Sequence, residues 1–190
     1  DQRVGVILDE LETRGMLDQT VVVITTDHGQ NFVTTERIPL IIRFPNGENS
    51  QKVISNVQTI DIAPTLLDYM NLEQPTWMAG QSILTEIPRS RPIFGIGVRG
   101  TEENEKGDWE INPSKLEPPF YQFGYISVIY CQNWYKLSLK TLEWQAGEVN
   151  GHTAPCTDIP TDSEILGMMS DQLRADKFDV KSLTESILHK

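Results

Sequence analysis

The sequence predicts an α/β fold: a mostly parallel sheet with flanking helices, followed by a small antiparallel hairpin subdomain and terminal helices. Two unbroken apolar runs, "TVVVITT" at 20–26 and "IPLIIRFP" at 38–45, argue for strands buried on both faces. Helical patterns flank them at 3–15 and 61–70. After residue 90 the pattern turns to alternating strands, so the division expected is 1–90 and 91–190.

In the opening "RVGVILDELETRG", Val4, Ile7, Leu8 and Leu11 follow the i, i+3, i+4, i+7 spacing of one helix face. Gly15 is the expected stop, because glycine accepts the left-handed conformation that closes many helices. The second apolar run ends at Pro45 and an Asn46-Gly47 turn. In "TIDIAPTLLDYMN", Asp61 is placed to cap a helix, Pro64 falls in its first turn, and Ile62, Ala63, Leu66, Leu67 and Met70 form its stripe.

Farther on, "RPIFGIGVRG" reads as a short strand and the acidic "TEENEKGDWEINPSKLEPP" as a loop. "YISVIYCQNWYKLSLKTLEW" reads as an antiparallel hairpin turning at Gln132-Asn133. Its tryptophans and tyrosines alternate as sheet residues do, which packing explains better than sugar stacking. The C-terminal stretch carries Ile165, Leu166, Met169 and Leu173 on one or two short helices.

Composition narrows the function. A net charge of −11 argues against nucleic acid and anionic membranes as main partners, since both attract basic surfaces. No apolar run approaches the roughly 20 residues of a membrane span, and no leader-like segment opens the sequence. The 2 cysteines, Cys131 and Cys156, can pair once in an oxidising compartment or stay free in a reducing one.

The feature that carries chemistry is Asp27-His28-Gly29, directly after the first apolar run. Ligands gather beyond the carboxyl ends of strands in open α/β sheets. A carboxylate beside an imidazole suits a divalent ion such as zinc or manganese, and calcium less naturally. Taken alone, the tripeptide reads more simply as a turn cap beside a surface histidine.

Its context adds weight. "VGVILDELETRGMLDQTVVVITTDHGQ", "ERIPLIIRFPNG", "NVQTIDIAPTLLDYMNL" and "GQSIL" together resemble the C-terminal part of the sulfatase family, within the alkaline-phosphatase-like superfamily. The resemblance covers about residues 3–86. It implies that Asp27 and His28 hold a divalent metal ion (calcium, zinc or manganese) and that the intact protein cleaves or transfers sulfate or phosphate esters. It also implies an extracytoplasmic setting. The family's Cys/Ser-x-Pro-x-Arg nucleophile motif is absent from this sequence. The chain on its own is therefore expected to be inactive, and catalytic residues within it are none. A degenerate or accessory module that binds a partner without chemistry is the alternative. Strands and apolar faces left without cover predict self-association, with Asp27 and His28 beside that seam.

Other polar residues have plainer readings. Arg37 in "TERIPL" is in position to meet an anion, but reads more simply as a solvated strand-end residue. His152 reads as a loop histidine and His189 as part of a frayed end.

Overall fold

In the computed structural model, the residues described are 2–29, 33–98, 101–112, 114, 116–118, 120–151 and 156–180. His152 and His189 lie outside them. Two compact units are present, the first made of residues 1–28, 38–53 and 58–86, the second of 29–37, 54–57 and 87–190.

The first unit begins with helix α1, Gln2–Thr13. It closes as its sequence requires: Gly15 has φ 67°, its N–H bonds Glu12 O, and Met16 N–H bonds Leu11 O. Strands β1 (Val22–Thr25) and β2 (Leu40–Arg43) then pair, Val22 facing Arg43 and Thr25 facing Leu40. The two runs are neighbours, but they are antiparallel, and every sheet described in the chain is antiparallel. The mostly parallel sheet is thus not observed. A parallel crossover needs a dozen or more residues, usually a helix, and the 26–39 connection carries no helix among its described residues.

The expected burial on both faces fails as well. Both strands are only half-buried, with Ile41 57% exposed, and no residue of α1 is buried. Apolar character shows that a surface gains by leaving water; it does not show that this chain supplies the cover. Arg43 at the end of β2 donates to Leu17 O at 2.6 Å and to Asp18 Oδ1 at 2.8 Å, fastening the turn that leads into β1. The Asn46-Gly47 turn forms with φ of 55° and 70°.

Helix α2, Ile62–Tyr69, follows a single 3-10 turn at Thr59–Asp61. Asp61 closes the 3-10 turn instead of making the expected side-chain cap of α2. Fully buried, it accepts from Gln58 N–H at 2.9 Å and from Gln81 N–H at 3.0 Å, and makes no side-chain cap of α2. Thr65 Oγ1 donates to Asp61 O and accepts from Ile83 N–H at 3.0 Å. "GQSIL" is thereby stapled to the start of α2. Gly80 is required there, because a Cβ would stand 2.0 Å from Ile60 O. Ser82 bonds the Asp68 carboxylate on the same side.

The second unit is built on a four-stranded antiparallel sheet in the order β3-β6-β7-β8. Its strands are Ile93–Val98, Phe123–Tyr130, Asn133–Ser138 and Trp144–Glu148. The β6–β7 turn falls one residue earlier than expected, since Tyr130 pairs with Asn133 and Cys131 takes φ 53°. Within the stretch expected to be a loop, β4 (Thr101–Glu103) and β5 (Trp109–Ile111) form a small hairpin. Asn104 closes it, its side chain accepting from the N–H groups of Lys106 and Asp108. That acidic stretch lacks apolar alternation, so local turn chemistry makes the hairpin rather than a buried face.

Helix α3, Asp162–Ala175, covers one face of the sheet. Ile165, Met169 and Leu173 are fully buried against Ile126, Val128, Tyr135 and Leu137, with Leu166 at the margin. Thr161 and Glu164 form a capping box at its start. Cys131 and Cys156 are joined as a disulfide, their Cα atoms 5.8 Å apart.

Candidate functional site

β1 delivers the chain to Asp27 and His28, as the sequence implies. His28 Nε2 lies 3.3 Å from Asp27 Oδ2, with side-chain exposures of 40% and 85%. Thr26 Oγ1 donates to His28 O at 3.0 Å and steadies the bend. Gly29 does not take a positive φ. Its place is set by close approach: a Cβ there would stand 3.1 Å from Glu36 Oε2 and 3.3 Å from Glu36 Cβ.

Two neighbouring donors, one carboxylate and one imidazole, fit a divalent ion in kind. They do not complete a shell of four or more ligands. Among the described residues no group of three or more His, Cys, Asp or Glu could hold a metal. Asp27 and His28 therefore have the donor chemistry of a metal site without the full set, and no catalytic step follows from them alone.

The segment after the motif is fixed within the second unit. Thr34 Oγ1 lies 2.8 Å from Ser127 Oγ and 3.4 Å from Tyr125 Oη. Ser127 is buried and also donates to Gly95 O at 3.1 Å. The side chain of Thr34 occupies the space a Cβ on Gly95 would need, 2.8 Å from Thr34 Cβ. No local pattern in the sequence announces this clasp, because its members are 93 residues apart. Arg37 packs over Gly151, with Nη1 3.3 Å from where a Cβ would be.

Comparison with known proteins agrees with these blocks. Residues 27–92 match the family described as N-sulphoglucosamine sulphohydrolase, C-terminal. Over this stretch the chain resembles sulfatases. It is 36% identical over 99 residues to an N-acetylglucosamine-6-O-sulfatase of Bacteroides thetaiotaomicron, covering 44% of this chain and 17% of that protein. With arylsulfatase K of Bos taurus the identity is 30% over 106 residues, 50% of this chain and 19% of the relative.

In structure, the chain resembles a phosphonate monoester hydrolase from Silicibacter pomeroyi, with a TM-score of 0.61 and 20% identity. That likeness covers 93% of this chain and 38% of the hydrolase, and it extends the shared fold past residue 92 into the antiparallel sheet and α3. The sequence matches span under a fifth of these two sulfatases.

Proposed function

We propose that this chain is the C-terminal portion of a metal-dependent hydrolase or transferase acting on sulfate or phosphate esters, with Asp27 and His28 among the ligands of its divalent ion. The observation that carries this reading is the position of Asp27-His28-Gly29. The tripeptide stands directly after β1 and opens the stretch that matches the sulfatase C-terminal family. Calcium, zinc or manganese would supply charge stabilisation for the transferring group. The remaining ligands and the nucleophile come from outside the residues described here.

Sulfate esters are favoured over phosphate esters, because the relatives over this stretch are sulfatases. An extracytoplasmic setting accords with one relative called an extracellular sulfatase homolog, from Drosophila melanogaster, and with the Cys131–Cys156 bridge.

The test is made on the full-length protein. Asp27→Asn and His28→Ala should each lower turnover of an aryl sulfate at least a hundredfold and reduce the metal bound per protein. Unchanged turnover in both variants would refute the assignment. A full-length protein with no turnover of aryl sulfate or aryl phosphate would favour a binding module.

A further inference from the structure

The sequence holds two Asn-Gly pairs, Asn46-Gly47 and Asn150-Gly151. Such a pair is chemically labile, because glycine has no Cβ to keep its backbone nitrogen from approaching the asparagine carboxamide. The structure holds the two pairs differently. Asn46 sits in a 3-10 turn with φ 55° and ψ 14°, and Gly47 N–H donates to Phe44 O at 3.2 Å. That nitrogen is engaged, and losing its proton would break the bond that closes the turn.

At the second pair, no described residue hydrogen-bonds the Asn150 side chain or the Gly151 N–H, and both residues are exposed. The chain is anchored on either side of them. Val149 is buried and donates its N–H to Gln132 O at 2.7 Å. Cys156 is tied to Cys131 by the disulfide, and its N–H donates to Gln132 Oε1 at 3.4 Å. Gly151 itself takes φ 102°, and the group that a Cβ there would meet is the Arg37 side chain, Nη1 first at 3.3 Å. A cation therefore stands beside the one Asn-Gly pair whose glycine nitrogen is not engaged by a described residue.

We propose that Asn150-Gly151 is a modification site, at which Asn150 deamidates through a cyclic imide with assistance from Arg37. The Gly151 backbone nitrogen gives up its proton and attacks Asn150 Cγ. A C–N bond forms and the Cγ–Nδ2 bond breaks; the proton taken from Gly151 is returned to the leaving nitrogen, which departs as ammonia. Water then adds to either imide carbonyl and opens the ring, leaving aspartate or isoaspartate at position 150. Water is the sole co-reactant, and nothing is oxidised or reduced. The guanidinium favours the attack, because a positive charge stabilises both the deprotonated amide and the oxyanion that forms at Cγ. The product sets a carboxylate beside the same guanidinium, a charged pairing that the carboxamide does not offer. It also adds one negative charge to a chain whose net charge is −11.

The test holds the purified protein at mildly alkaline pH and samples it over days. Peptide mapping by mass spectrometry reads the replacement of –NH2 by –OH, and an isoaspartyl methyltransferase labels the isoaspartate. In the folded protein the peptide carrying Asn150 should convert while the peptide carrying Asn46 stays intact. In denaturant both pairs should convert, since neither is then held. Arg37→Ala should slow conversion at Asn150 at least fivefold, Arg37→Lys should retain most of the rate, and Asn150→Gln should remove the signal. Asn46 converting as fast as Asn150 in the folded protein would overturn the site. So would an Asn150 that stays intact over the time in which the denatured protein is converted. An unchanged rate in Arg37→Ala would overturn the part given to the guanidinium.

Discussion

Thr34 Oγ1 and Ser127 Oγ share a hydrogen bond of 2.8 Å, joining the segment that follows the Asp27-His28 motif to the middle of β6. Ser127 is buried, and removing its hydroxyl takes one partner from the Gly95 carbonyl and leaves the Thr34 hydroxyl only its longer contact with Tyr125 Oη. Ser127→Ala should cost about 1 kcal/mol, the usual net worth of a hydrogen bond, read as a lowered midpoint in denaturant. Gly95→Ala should also destabilise, because its Cβ meets Thr34 Cβ at 2.8 Å. Amide exchange should speed up at 33–37 in both variants; unchanged exchange there would show that the clasp does not hold the segment.

The disulfide closes a loop between residues separated by 25 positions. Replacing both Cys131 and Cys156 by serine should lower stability by roughly 3 kcal/mol, the loss of loop constraint on the unfolded chain. Denaturant unfolding with and without reductant measures it. Reductant should shift the native protein and leave the double variant unmoved.

Glu164 has its carboxyl held below the ordinary glutamate range, first by the Thr161 backbone N–H and then by the Thr161 side chain. A folded-state value below the unfolded one means stability is fully present above the unfolded pKa and is lost as pH falls through the folded pKa. Acid unfolding between neutral pH and the region below pH about 4 should therefore flatten in Glu164→Gln. Because Glu164 is exposed, the change should be small and should shrink further in salt. A slope identical to the parent protein's would remove this contribution.

Helix α1 presents Val6 at 64% and Ile7 at 58% exposure, and Ile41 of β2 is 57% exposed. Contiguous bare apolar surface and open strand edges recruit partners. The isolated chain should therefore self-associate in sedimentation runs over a concentration series. The paired change Val6→Glu, Ile41→Lys should shift it towards monomer. A monomer at high concentration in the unsubstituted chain would contradict this.

What the sequence determined by itself lies in short-range patterns. Gly15 ends α1, Pro45 and Asn46-Gly47 turn the chain after β2, and Ile165, Met169 and Leu173 fall four residues apart on the buried face of α3. Each depends on propensity or periodicity within a few residues. The position of Asp27-His28 directly after β1 was legible for the same reason.

Tertiary structure alone decided strand direction, because an apolar run has the same character whichever way its partner points; β1 and β2 pair antiparallel where a parallel sheet was expected. It decided the role of Asp61, whose second partner, Gln81 N–H, is 20 residues away. It joined Thr34 to Ser127 across 93 residues. It also separated Tyr125 and Trp134 from Tyr135 and Trp144, since a one-residue change of register would exchange the two faces. Contacts between distant residues depend on how the chain folds back on itself, and no local pattern encodes that.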